Sequence, residues 1–151
     1  MYNINNNPVE LLQNLIRFDT SNPPGNELEC IKYVNEIFTN AGFKTQILAK
    51  DPNRPNLITR LKGQDNKNPL LLYGHIDVVP IKNQEWKYPP FEAKIAEGYL
   101  WGRGTLDMKG GVAMMVSALL KARVKNIASI VFKKANSWTK ELPFKRKLIK
   151  M

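Results

Sequence analysis

LLLYGHIDVVP, residues 70–80, decides how this chain is read. Leu70 to Tyr73 run without a polar interruption into Gly74 and His75, and Asp77 follows two positions later between Ile76 and Val78. A short run that is apolar at every position is expected of a strand covered on both faces. His75 is the only histidine in 151 residues, so the sole imidazole is expected at the carboxyl end of a strand. In open sheets with helical connections, functional groups collect at such ends. Residues i and i+2 of an extended segment point to the same side. Asp77 is therefore placed to hold one ring nitrogen of His75, fixing the tautomer and making the other nitrogen a better metal donor. A hydrogen-bonded structural histidine, and an aspartate that merely caps the turn before Pro80, are the plainer alternatives.

Outward from that strand, the pattern alternates helices and strands. A helix begins at Pro8, carries Leu11, Leu12, Leu15 and Ile16 at helical spacing and ends near Phe18. TSNPPGNE breaks regular structure. A second helix over Glu27–Asn40, with Asn26 as its candidate cap, places Leu28, Ile31, Val34, Ile37 and Phe38 on one side and stops near Gly42. Strands are expected at Phe43–Leu48, Asn56–Leu61 and Leu70–Tyr73, and a hairpin over Phe91–Ala96 and Tyr99–Trp101 around Glu97-Gly98. A third helix presents Val112, Met115, Val116, Leu119 and Leu120 as an apolar stripe, its methionines serving as packing. The fold class expected is α/β, with a partial central sheet packed by helices.

The length suits one domain of ordinary size. A hydrophobic fraction of 43% and a charged fraction of 24% argue against wholesale disorder. Cys30, the single cysteine, reads as a small buried side chain. MYNINNNPVE has no basic region followed by an apolar one, as a signal peptide requires. No apolar run reaches the ~18 residues of a membrane span. A cytoplasmic protein is expected. The net charge of +10 would suggest an anionic partner, but it is unevenly spread. Met1 to Ala122 hold 14 basic and 12 acidic residues, whereas Arg123 to Met151 hold 9 and 1.

A second stretch, WGRGTLDMKGG at 101–111, surrounds Asp107 with Gly102, Gly104, Gly110 and Gly111 at the start of the third helix. Such a backbone turns tightly and approaches its neighbours closely. It has neither the Rossmann glycine spacing nor the Gly-Lys-Ser/Thr ending of a phosphate loop. Asp107 by itself reads either as a helix cap or as a site carboxylate.

Taken together, GHIDVVP, Trp86 with Pro89-Pro90-Phe91, and EGYLWGRGTLDMKGG resemble the zinc-dependent amidohydrolase and exopeptidase family. That family includes acetylornithine deacetylase, succinyl-diaminopimelate desuccinylase, aminoacylase and bacterial glutamate carboxypeptidase. The resemblance runs from about Pro8 to Ala122, and TSNPPGNE and the Asp-Met-Lys-Gly-Gly ending look more like the deacylase branch. It implies the amino-terminal part of a zinc-exopeptidase-like catalytic domain. It also implies that His75 is a ligand of one metal ion, that Asp107 bridges two ions, and that Asp77 is the catalytic residue orienting His75. The metals would be two Zn²⁺ or Co²⁺ ions, and the substrate a small N-acyl amino acid or peptide amide beside a free carboxylate.

The family pattern continues with a strand, here expected at Ile127–Phe132, and then an acidic pair that supplies the general base and a further ligand. That pair is missing. KKANSWTKELPFKRKLIKM has seven basic residues and one acidic residue, Glu141. Residues 1–132 are thus expected to form the family portion and 133–151 a divergent basic tail, with the reading frame departing from its ancestor between Ala122 and Lys133. Catalytic zinc ordinarily takes three protein ligands and a water, so the expectation is weak metal binding, no useful hydrolysis by the chain alone, and no dimerisation domain. A second reading is a nucleic-acid-binding tail, with Lys133, Lys134, Lys145, Arg146 and Lys147 interleaved by Phe132, Trp138 and Phe144. An inert remnant is a third. The tail has no recognised binding motif, so neither nucleic acid nor membrane is the expected partner.

Overall fold

The computed structural model describes residues 7–63 and 68–124, and the backbone of residues 130–134. The Asn-rich start, Ile127 to Ser129, Glu141 and the basic and aromatic tail side chains lie outside the described residues.

Helix α1 spans Pro8–Arg17. Proline needs no amide partner in the first turn, and the Asn7 side-chain oxygen accepts from the amides of Val9 at 3.1 Å and Glu10 at 3.3 Å. Helix α2 spans Leu28–Asn40. Its start corrects the expectation of an Asn26 cap: Glu27 occupies the capping position and its side chain makes no capping bond. A carbonyl from a distant turn does that work instead, because Asn53 O accepts from the amides of Glu27 at 2.9 Å and Leu28 at 3.1 Å.

The strands are β1 Thr45–Leu48, β2 Asn56–Leu61, β3 Leu70–Gly74, β4 Lys94–Ala96 and β5 Tyr99–Trp101; helix α3, Lys109–Val124, and strand β6, Ile130–Lys134, follow. Glu97 and Gly98, both at positive φ, close the expected β4–β5 hairpin. The main sheet has the order β1-β2-β6-β3, antiparallel except where β3 runs parallel to β6. Leu72 is opposite Phe132, and Arg60 opposite Val131. The strand expected at Ile127–Phe132 is observed further along, with Lys133 opposite Ile58 and Tyr73; ladder bonds join backbones, and an apolar pattern does not mark where they stop.

Leu11 and Leu15 of α1, Ile31, Val34 and Phe38 of α2, Leu57 and Leu61 of β2, and Val112, Val116, Leu119 and Leu120 of α3 form one buried cluster that also contains Cys30. The α/β architecture with a helix-packed sheet is therefore observed. One expectation fails. The apolar run of β3 is not covered on both faces: Leu70, Leu71 and Tyr73 are exposed, and Leu72 alone of its large side chains packs against the core. Among the described residues β3 is a sheet edge with helix α3 on one face, so Leu71 and Tyr73, on the face opposite Leu72, point away from the core, and Leu70 is exposed at the strand start. No helix of the described residues is long and apolar enough to cross a membrane.

Candidate active site

His75 follows the last residue of β3. A Cβ built on Gly74 would stand 2.8 Å from Met115 Cε and 3.1 Å from Val112 Cγ2, so the first turns of α3 lie directly over the strand end. That approach carries Asp107, two residues before α3, to the imidazole. Lys109 pins the same turn from the other side. Its buried ammonium donates to the carbonyls of Leu15 at 2.9 Å and Phe18 at 2.7 Å, at the end of α1. Burial lowers its pKa from 10.5 to about 8, against a weaker upward pull from Cys30 and Asp19. The glycine-rich loop is also tied to the Pro-Pro-Phe segment, since Arg103 N donates to Pro90 O at 2.7 Å and the Arg103 guanidinium lies 4.8 Å from the Trp86 ring centre.

The segment after His75 is fixed by short pairing with the loop after α1. Val78 N donates to Thr20 O at 3.1 Å and Asn22 N to Val78 O at 2.9 Å. This holds Asp77 beside the imidazole, where its backbone carbonyl is the hydrogen-bond partner of Nδ1. His75 Nδ1 lies 3.0 Å from the Asp77 carbonyl oxygen and 3.2 Å from its Oδ1, while Nε2 lies 3.1 Å from Asp107 Oδ1. The three residues singled out by sequence, His75, Asp77 and Asp107, thus meet around one ring. The Asp77 side chain is 5% exposed and that of Asp107 83%. One flank of the imidazole is interior and the other faces solvent.

Behind Asp77 is a layer that sequence reasoning missed. Asn22 Nδ2 donates to Asp77 Oδ2 at 3.0 Å, and an Arg54 terminal nitrogen lies 3.8 Å from the same oxygen. Arg54 Nε and that terminal nitrogen each donate to Glu27 Oε1 at 3.2 Å. Glu27 is completely buried. In the sequence Glu27 resembles an ordinary acidic residue at a helix start, Arg54 a loop arginine and Lys109 an exposed helix residue. Only the unusual loop chemistry around 21–27 offered a signal.

The fold and this ring of contacts define an α/β domain with an imidazole–carboxylate pair at the carboxyl end of a parallel strand. Residues 71–132 match the model of peptidase family M20/M25/M40. It is 36% identical over 120 residues to a probable succinyl-diaminopimelate desuccinylase of Staphylococcus aureus, covering 78% of this chain and 29% of that protein. It is also 36% identical over 123 residues to an N-formyl-4-amino-5-aminomethyl-2-methylpyrimidine deformylase of Halalkalibacterium halodurans, covering 79% and 29%. Among solved structures, the fold matches an M20 family metallo-carboxypeptidase from Sulfolobus solfataricus with a TM-score of 0.75 at 23% identity, covering 85% of this chain and 30% of that one. The chain spans about 29% of the length of the curated relatives it matches.

The donors present suit a divalent transition metal. Neutral imidazole and carboxylate oxygen bind Zn²⁺ at ~2.0–2.2 Å, which sets two donors of one tetrahedral ion roughly 3.3 Å apart. The observed Nε2–Oδ1 separation is 3.1 Å. Two lone pairs facing each other at that distance repel unless a proton or a cation lies between them. Among the described residues no group of three or more His, Cys, Asp or Glu side chains converges as a metal site.

Proposed function

We propose that this chain carries part of the active site of a metal-dependent amide hydrolase acting on a small N-acyl amino acid or peptide. His75 and Asp107 are its metal donors, and Asp77 holds His75 in place. The observation that carries this reading is the division of labour on one ring: Nδ1 is occupied by Asp77 and Nε2 is aimed at Asp107. The printed names of both curated relatives describe removal of an acyl group, succinyl in one and formyl in the other, which supports an N-acyl substrate. When bound, Zn²⁺ or Co²⁺ supplies Lewis acidity and lowers the pKa of a bound water toward neutrality.

The chain's own residues perform the remaining tasks. Carboxylate and carbonyl oxygens only accept, so Asp77 keeps a proton on Nδ1 and leaves the Nε2 lone pair for the metal. Asp107, on an exposed turn clamped by Lys109, offers a second carboxylate oxygen for another ion. In this reading residues 1–132 form the family portion and 133–151 a separate basic stretch. With two donors among the described residues, the chain alone binds metal weakly and hydrolyses amides poorly. Titration of Zn²⁺ into the purified full chain, His75→Ala and Asp107→Ala, followed calorimetrically, tests it. Each substitution is expected to weaken binding at least tenfold; equal uptake by all three would overturn the assignment of both donors.

A further inference from the structure

We propose that Lys109 is a positioning residue: it ties the turn carrying Asp107 to the end of α1, and through that shared stretch sets how far Asp107 stands from His75. The ammonium, wholly buried, donates to the carbonyls of Leu15 at 2.9 Å and Phe18 at 2.7 Å. Two residues beyond Phe18, Thr20 holds the segment of His75, its Oγ1 donating to Ile76 O at 2.5 Å and its carbonyl accepting from Val78 N at 3.1 Å. Ile76 adjoins His75, and Asp107 stands two residues before Lys109. The contacts therefore close a circuit from Asp107 through Lys109, Phe18, Thr20 and Ile76 to His75, whose last gap is the 3.1 Å between Nε2 and Asp107 Oδ1.

Local chemistry does not ask for a cation here. Lys109 is the first residue of α3, where the helix dipole disfavours positive charge, and burying an ammonium costs free energy that its partners must offset. The side chain crosses instead to the last turn of α1, whose carbonyls lack partners within their own helix and form the negative end of its dipole. The turn ahead of α3 is folded around the same side chain. Lys109 N donates to Gly104 O at 2.9 Å, which closes residues 104–109 about Asp107. A Cβ on Gly104, at φ +87°, would stand 3.2 Å from Lys109 Cδ and 2.8 Å from Val78 Cγ1. The bare glycine thus lets the turn press between the lysine stem and the segment of His75. The contact of Gly74 with Met115 and Val112 seats the body of α3 over the strand; the lysine anchors the turn in front of it.

This inference rests on the proposed metal reading for its purpose, and its first measurement needs no metal. The chain has a single imidazole, so the ring ¹H–¹³C signals of the ¹³C-labelled, metal-free full chain belong to His75 alone. Recorded where the ring is neutral, they should be displaced by Asp107→Ala, because a carboxylate leaves the neighbourhood of Nε2. In a Lys109→Met chain, which keeps the stem and loses the two bonds, the same substitution should displace them at least about twofold less, as the energy of a charge pair falls when its distance doubles. An equal displacement in both backgrounds, or none in either, overturns the proposal. Folding is judged from amide signals of α1 and α3. If Lys109→Met does not fold, Lys109→Gln, uncharged and still a donor, carries the comparison; failure of both to fold makes Lys109 a structural residue only and also overturns the proposal. Zn²⁺ titration of the same chains is the second measurement. Lys109→Met is expected to weaken binding about tenfold when Asp107 is present and no further once Asp107 is alanine; equal losses in both backgrounds would overturn the link to Asp107. A wild-type chain that takes up no Zn²⁺ while its ring signals respond as expected rejects the metal reading and leaves the Lys109 role intact.

Discussion

The two flanks of His75 are built to different standards. On the Nδ1 side, Asp77 is 5% exposed and is backed by Asn22, Arg54 and a wholly buried Glu27, in a layer drawn from three separate parts of the chain. On the Nε2 side there is one carboxylate, 83% exposed, on a turn. The Nδ1 flank is therefore buried and charge-paired, while the Nε2 flank presents an exposed carboxylate. Buried, paired charge on the inner flank is inseparable from folding, whereas the Asp107 side chain on the outer flank is largely exposed.

That contrast predicts large stability effects on the inner flank and small ones on the outer. Removing the inner counter-charge should cost most: Arg54→Met strands Glu27 as a buried unpaired charge, and a loss of about 3 kcal/mol is expected in urea unfolding. Adding Glu27→Gln to that variant should recover part of the loss. Full additivity of the two substitutions would break the idea of a shared clamp.

Lys109, which pins the outer turn to α1, should impose a pH dependence of comparable size. Its folded pKa, lowered to about 8 from 10.5, means that the unfolded chain binds more protons between those values. Stability relative to a Lys109→Met chain should then rise as pH increases from about 8 to 10.5, by about 3 kcal/mol in total, and stay flat below pH 8. A difference that stays flat over this window and falls only above pH 10.5 would show that the two carbonyls retain the proton more strongly than burial expels it.

Smaller effects follow at the contact joining the two flanks. Gly74→Ala forces a methyl group against Met115 and Val112, with an expected cost of ~1–2 kcal/mol and a weaker metal affinity, because α3 must move off the strand end. Least of all, Asp107→Asn should alter stability by less than ~0.5 kcal/mol, as for an exposed surface change, while metal binding drops at least tenfold. A large stability loss from that substitution would erase the distinction between the flanks.

Much of the architecture was legible because it follows local periodicity. Strand β2 is observed at the expected bounds Asn56–Leu61, α1 begins at Pro8, and the Glu97-Gly98 hairpin forms where the turn residues stand. His75, Asp77 and Asp107 were singled out because two short motifs surround them with residue types that regular structure does not need. The sequence reading misjudged β3, whose exposure depends on its place at the sheet edge rather than on its composition. It also gave Asn26 a capping role that a carbonyl from Asn53 performs.

The amino-acid order by itself determined the helices, most strand positions, the placement of His75 and Asp77 at a strand end, and the family resemblance, since each depends on neighbours or on motifs a few residues long. Only the tertiary structure decided that Arg54 joins Glu27 to Asp77 and that Lys109 bonds the end of α1. The reason is physical: a charge can be buried only where its partners converge in space, and those partners lie 27 residues apart for Glu27 and Arg54 and 94 for Leu15 and Lys109.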